Sequence, residues 1–257
     1  MGIRQGIYMA NGLLAGFWGL VAGSALVLGA LVGYFMQLPQ RLIAGIMAFG
    51  AGVLISALSF DLMDEALRSG GFVATASGFI VGAAAFTGAN WMLARAGAKH
   101  RKRSGDQQPT SEDPGTGLAI ALGALLDGVP ESIVIGVSLI GEPHVSFVAV
   151  AAVFLSNVPE GLSSAAGMKK AGRSSLYIFS VWGAIALISG VAAVLGYVLF
   201  AGLGPAIVAA TTAVAAGAIL AMLADTMIPE AVAHTHAATG LITVLGFLAA
   251  FVLSKMA

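Results

Sequence analysis

Two near-copies of one phrase decide how this chain is read: Leu126-Asp127-Gly128-Val129-Pro130-Glu131 and Ser156-Asn157-Val158-Pro159-Glu160-Gly161. Each lies inside an apolar run long enough to cross a bilayer, at about 116–140 and 145–168. A carboxylate at mid-bilayer costs about 2.5–3.5 kcal/mol on the insertion scale, so several on neighbouring helices imply that a cation or a proton is held there. On a helix Asp127 and Glu131 are four apart and share a face, and Asn157 and Glu160 are three apart and do the same. Each helix thus offers a pair of oxygen ligands. Pro130 and Pro159 cannot donate to the carbonyls four residues back, at Leu126 and Leu155, which kinks the helices and frees two more oxygens. A set of carboxylates, an amide and freed carbonyls suits a hard or borderline divalent ion, which a proton could replace on any carboxylate.

Outward from these phrases the chain is almost all membrane. Of its 257 residues 58% are hydrophobic and only 9% charged, far from the composition of a soluble domain, and the mean hydropathy is +0.95. Windows of about 20 residues give apolar spans at 7–34, 41–66, 72–96, 116–140, 145–168, 175–201, 205–230 and 238–256. Eight crossings make a single all-α transmembrane domain over 1–257, with both termini on one side. The 35 glycines favour close-packed helices over a barrel, because small residues let backbones approach where lipid gives burial no drive. The first span is read as a mature helix, since it is too long for a signal peptide and has no small-residue cleavage site. Zero net charge excludes nucleic-acid binding through overall basicity, and the absence of cysteine leaves only oxygen and imidazole as metal ligands.

Segment 97–115 breaks the pattern: polar, with Pro and acidic residues and no apolar periodicity, it is expected to be a mobile loop that meets no packing surface. Its run Lys99-His100-Arg101-Lys102-Arg103 is read as a determinant of orientation. With the termini outside, the cytoplasmic loops hold Arg41, Arg95, Lys99, Arg101, Lys102, Arg103, Lys169, Lys170 and Arg173, and only Arg4, Arg68 and Lys255 lie elsewhere. Eight of the 12 acidic residues lie within or at the ends of apolar spans: besides the three in the central phrases these are Asp61, Asp64, Glu65, Asp225 and Glu230. Asp61, near the outer end of the second span, is a candidate entrance ligand, and the deeper Asp225 a candidate entrance or exit ligand. Asp64 and Glu65 read as helix-end charges. His234 and His236, two apart, do not share a helical face, and His144 is placed in an exposed turn. Enzyme activity is not expected: neither Gly-x-Ser-Gly with a partner histidine nor Gly-x-Gly-Asp, the patterns of intramembrane proteases, occurs in the spans.

The Pro-Glu phrases on consecutive spans, the polar loop before them and the eight-span layout resemble the ZIP family of zinc and iron transporters. Asp61-Leu62-Met63-Asp64-Glu65-Ala66 looks like the end of that family's second span, and Asp225-Thr226-Met227-Ile228-Pro229-Glu230 like the end of its seventh. The resemblance implies eight helices in a three-two-three arrangement, the two central ones carrying the metal site. It implies no tightly bound cofactor, a transported divalent metal such as zinc, iron or manganese moving into the cytoplasm, a prokaryotic cytoplasmic membrane and a possible homodimer. It supports Glu131, Asn157 and Glu160 as ligands, with Asp127 standing where relatives carry an imidazole. Gly128 and Ser156 depart from the family phrase, and no acidic residue lies in 175–201. Loss of imidazole shifts the expectation toward harder ions. The alternative is a relative that has lost divalent-metal transport and moves protons or another solute.

Overall fold

The computed structural model describes residues 2–105, 108–110, 116–141 and 144–256, and among them it contains helices and no strand. The helices are α1 (Gly2–Phe35), α2 (Gln40–Ala57), α3 (Met63–Leu93), α4 (Thr116–Val137), α5 (Phe147–Lys170), α6 (Ser175–Phe200), α7 (Pro205–Met222), α8 (Ile228–Thr235) and α9 (Thr239–Met256). Seven continuous helical stretches among the described residues are long and apolar enough to cross a membrane, so the chain is an all-α integral membrane protein. One of the seven, Gln40–Ala98, runs 59 residues. Straight, it would measure about 88 Å, nearly three times the hydrocarbon core of a bilayer. It is not straight, because Gly71 leaves the helix at φ 74° and ψ 174°, a conformation that carries no penalty only without a Cβ. Gly71 falls between the runs read from the sequence as 41–66 and 72–96.

Glycine sets how closely the helices meet. A Cβ at Gly161 of α5 would overlap the Leu26 carbonyl oxygen of α1, and one at Gly29 of α1 would overlap the Val158 carbonyl oxygen of α5. Backbone therefore lies against backbone, as expected where packing rather than water drives association. The same relation joins α4 to α6, α2 to α9 and α3 to α7. Where α2 faces α5, the nearest atom to a Cβ at Gly50 is instead the Pro159 ring.

Two five-residue π-helical turns, Leu58–Leu62 after α2 and Leu223–Met227 after α7, interrupt the regular helices, and a third, Ala94–Ala98, ends α3. The first contains Asp61 and the second Asp225. Such turns insert one extra residue and re-aim the side chains around it, often at functional positions.

Candidate functional site

The site is built where α4 and α5 run together. Asp127 and Glu131 on α4, and Asn157 and Glu160 on α5, are all at most 3% exposed, so the four residues singled out in the two phrases are all removed from the lipid surface. A third element enters between them: the chain leaving α3 brings Arg101 and Lys102 inward. Lys102 Nζ donates to Glu160 Oε1 at 2.6 Å and lies 3.4 Å from Asp127 Oδ2, bridging the two helices. Arg101 grips Asp127 with both prongs of its guanidinium, Nε to Oδ2 at 2.9 Å and Nη2 to Oδ1 at 2.8 Å. Both basic side chains are buried. Burial alone would lower the pKa of Arg101, but the Asp127 carboxylate beside it outweighs that and holds it above the ordinary value. His100 shifts the other way, below its usual range, because partial burial and then the neighbouring Lys99 and Arg103 disfavour its charged form.

The remaining ligand candidates are less occupied. Neither carboxylate oxygen of Glu131 has a hydrogen-bond partner among the described residues. Asn157 donates through Nδ2 to the Ala22 carbonyl of α1 at 2.9 Å, which leaves its Oδ1 buried and unpaired. Asp225 is linked to the site by a relay: Arg101 Nη1 donates to Asn90 Oδ1 at 2.8 Å, and Asn90 Nδ2 to Asp225 Oδ2 at 3.3 Å. Asp61 lies at the other end. It lines a narrow apolar cleft with Leu54, Val134 and Val153 and accepts from Ser254 Oγ at 2.8 Å. Along α4 the order is therefore Asp225 and Asn90, then Asp127, then Glu131 one turn on, then Val134 beside Asp61. Among the described residues no three His, Cys, Asp or Glu side chains come together as a ready-made metal cluster.

The reading of 97–115 as meeting no packing surface is corrected for its basic half. Ala98, Arg101, Lys102, Ser104 and Gln108 are buried. The two N–H groups of Gln108 Nε2 are shared among the carbonyls of Arg101, Arg103 and Ser164 at 3.0, 2.9 and 3.1 Å, and Ser163 Oγ donates to the Lys102 carbonyl at 2.6 Å. The physical reason is charge: two buried carboxylates on α4 and α5 draw in the nearest cations of the chain. Glu230 anchors the same segment. It is fully buried and accepts from Ser104 N and Oγ and from Arg103 Nη1 at 2.7 to 3.2 Å. His144 is exposed, and His234 Nε2 is buried without a partner; the side chain of His236 and residues 106, 107 and 111–115 lie outside the described residues. Sequence reasoning did not find Arg101, Lys102, Asn90 or Gln108. The available signal was the need of Asp127 and Glu160 for counter-charges.

No family model matches the chain. Individual proteins do. The zinc transporter ZupT of Enterobacter sp. (strain 638) is 29% identical over 220 residues, covering 82% of this chain and 84% of the relative. The zinc transporters ZupT of Escherichia coli O7:K1 (strain IAI39 / ExPEC) and of Escherichia coli (strain K12 / DH10B) are each 30% identical with the same coverage. The chain belongs to the ZIP family. Of the four buried polar residues on α4 and α5, two, Asp127 and Glu160, are met by the protein's own Arg101 and Lys102.

Proposed function

We propose that this ZIP-family protein carries a divalent metal cation through the membrane into the cytoplasm, with Asp127, Glu131, Asn157 and Glu160 as the central ligands and Asp61 and Asp225 as ligands toward the two ends. One observation supports this above the others: three fully buried carboxylates stand on two adjacent helices that each contain a proline. Buried acids at that density are costly unless a cation meets them. The names of the relatives give zinc first place among cargoes, while an all-oxygen ligand set without imidazole favours harder ions such as manganese. The break at Gly71 supports counting Gln40–Ala98 as two crossings, and so eight spans in a three-two-three arrangement. In this reading the chain is one transmembrane domain in a prokaryotic cytoplasmic membrane, pairs as a homodimer and has both termini away from the cytoplasm.

A second reading is favoured by Arg101 and Lys102, which already neutralise Asp127 and Glu160: a relative that no longer moves divalent ions and instead carries protons or another solute. Uptake by the purified protein in vesicles separates the two. The first reading expects saturable uptake of zinc or manganese that falls at least tenfold in Glu131→Gln, because one lost charged ligand weakens binding by more than about 1.4 kcal/mol. Wild-type vesicles that take up no divalent ion would sink it.

A further inference from the structure

We infer that segment 99–105 is a tethered counter-ion: docked, Arg101 and Lys102 take the place of the divalent cargo at Asp127 and Glu160, and cargo binding and docking of the segment exclude each other. The inference rests on the transport reading above. Charge balance comes first. Asp127 and Glu160 carry two negative charges, Arg101 and Lys102 supply two positive ones, and one divalent ion supplies the same two. Geometry is the second argument. Lys102 Nζ lies within 3.4 Å of carboxylates on both α4 and α5, the bridging position a metal shared by the two helices would need.

The dock is built for this segment. A Cβ at Gly123 of α4 would strike the Arg101 side chain, and one at Gly167 of α5 would overlap the Arg103 carbonyl and the Gln108 amide. Gln108 ties three carbonyls, two of the segment and one of α5, while Glu230 and Ser163 hold its backbone from α8 and α5. The dock is also reversible. From Lys99 to Gly105 the segment contains no apolar residue, so lifting it removes none from the bundle's hydrophobic core, and its polar groups and cations regain water. Such contacts contribute little net free energy compared with an apolar core. Lys99, His100, Lys102 and Arg103 line a small opening together with Asp225, so a cation passing between the central carboxylates and Asp225 meets this segment. A divalent ion that displaces the two side chains leaves the buried carboxylates neutralised throughout, and the membrane interior never has to hold them bare.

Trypsin tests this on the unaltered, full-length protein in detergent, because Lys99, Arg101, Lys102 and Arg103 are its cleavage sites. The expectation is slow cleavage at these residues without added metal and at least tenfold faster cleavage in saturating manganese. The chain has no cysteine, so Ser104→Cys gives a single thiol whose maleimide labelling should accelerate in parallel. In vesicles, Lys102→Gln should lower the half-saturating manganese concentration at least fivefold. Cleavage and labelling indifferent to manganese, in protein whose vesicles take up manganese normally, would overturn the tethered counter-ion alone. No uptake of any divalent ion by wild-type vesicles would overturn the transport reading and this one with it.

Discussion

Breaking the Arg101–Asp127 pair should show how strongly the segment and α4 depend on each other. The two charges meet through contacts of 2.8 and 2.9 Å with side chains 2% and 0% exposed. With charge centres about 4 Å apart and an effective dielectric constant near 20, the direct attraction is about 4 kcal/mol. Removing one partner of such a buried pair typically costs about 3–5 kcal/mol, because the other charge is left without compensation. Among the described residues, Arg101→Gln leaves Asp127 with only the Lys102 contact at 3.4 Å, so a loss near the lower end, about 3 kcal/mol, is expected. Asp127→Asn should cost a similar amount, since Arg101 then keeps only Asn90 and the Ala98 carbonyl. The double variant buries no unpaired charge at this contact, so its loss should fall short of the sum of the single losses by at least about 2 kcal/mol. Reversible unfolding in mixed micelles, followed by tryptophan fluorescence, measures all three. Additive losses, with a coupling below about 0.5 kcal/mol, would refute the argument that these side chains form one neutral unit.

Gly161→Val should separate α1 from α5, since its side chain has no room against the Leu26 carbonyl; a loss of at least about 2 kcal/mol in the same unfolding measurement is expected. Asp127→His should raise the ratio of zinc to manganese uptake in a competition assay, because imidazole suits zinc better than a carboxylate does. An unchanged ratio would remove Asp127 from the selectivity ligands. Gln108→Ala strips a donor from three carbonyls, so amide hydrogen exchange over 100–104 should rise at least tenfold, corresponding to a local loss of about 1–3 kcal/mol; exchange matching the wild type would mean the segment is held by its ion pairs alone.

The helical, membrane-spanning character of the chain was legible because hydropathy over 20 residues reports the bilayer directly, and Asp127, Glu131, Asn157 and Glu160 stood out because polar groups in an apolar run need a reason. The destination of Arg101 and Lys102 was not legible. Polarity without periodicity ordinarily signals a solvated loop, and nothing local distinguishes a cation facing water from one reaching a carboxylate 26 or 58 residues away. Asn90 was missed for the opposite reason: one amide in an apolar run is inexpensive, and only the fold reveals that it connects Arg101 to Asp225. Gly71 lies between the apolar runs 41–66 and 72–96, and only the fold shows that its φ of 74° is what interrupts a 59-residue helical run.

The glycine contacts divide the bundle into parts of unequal stiffness. Backbone-to-backbone seams join α1 to α5 and α4 to α6, and Gly19 and Gly23 set α1 against α6 with somewhat more room, so these four helices form a single block. The pairs α2 with α9 and α3 with α7 are joined in the same way. Between the block and these pairs, at the face where Gly50 meets the Pro159 ring, side chains intervene and sliding disturbs fewer close contacts. Asp127, Glu131 and Glu160 ride on the block, whereas Asp61 and Asp225 sit in the π-helical turns of the pairs. A shift of about one helical turn along that plane would carry the central carboxylates toward one outlying acid and away from the other, with every helix moving as a rigid rod.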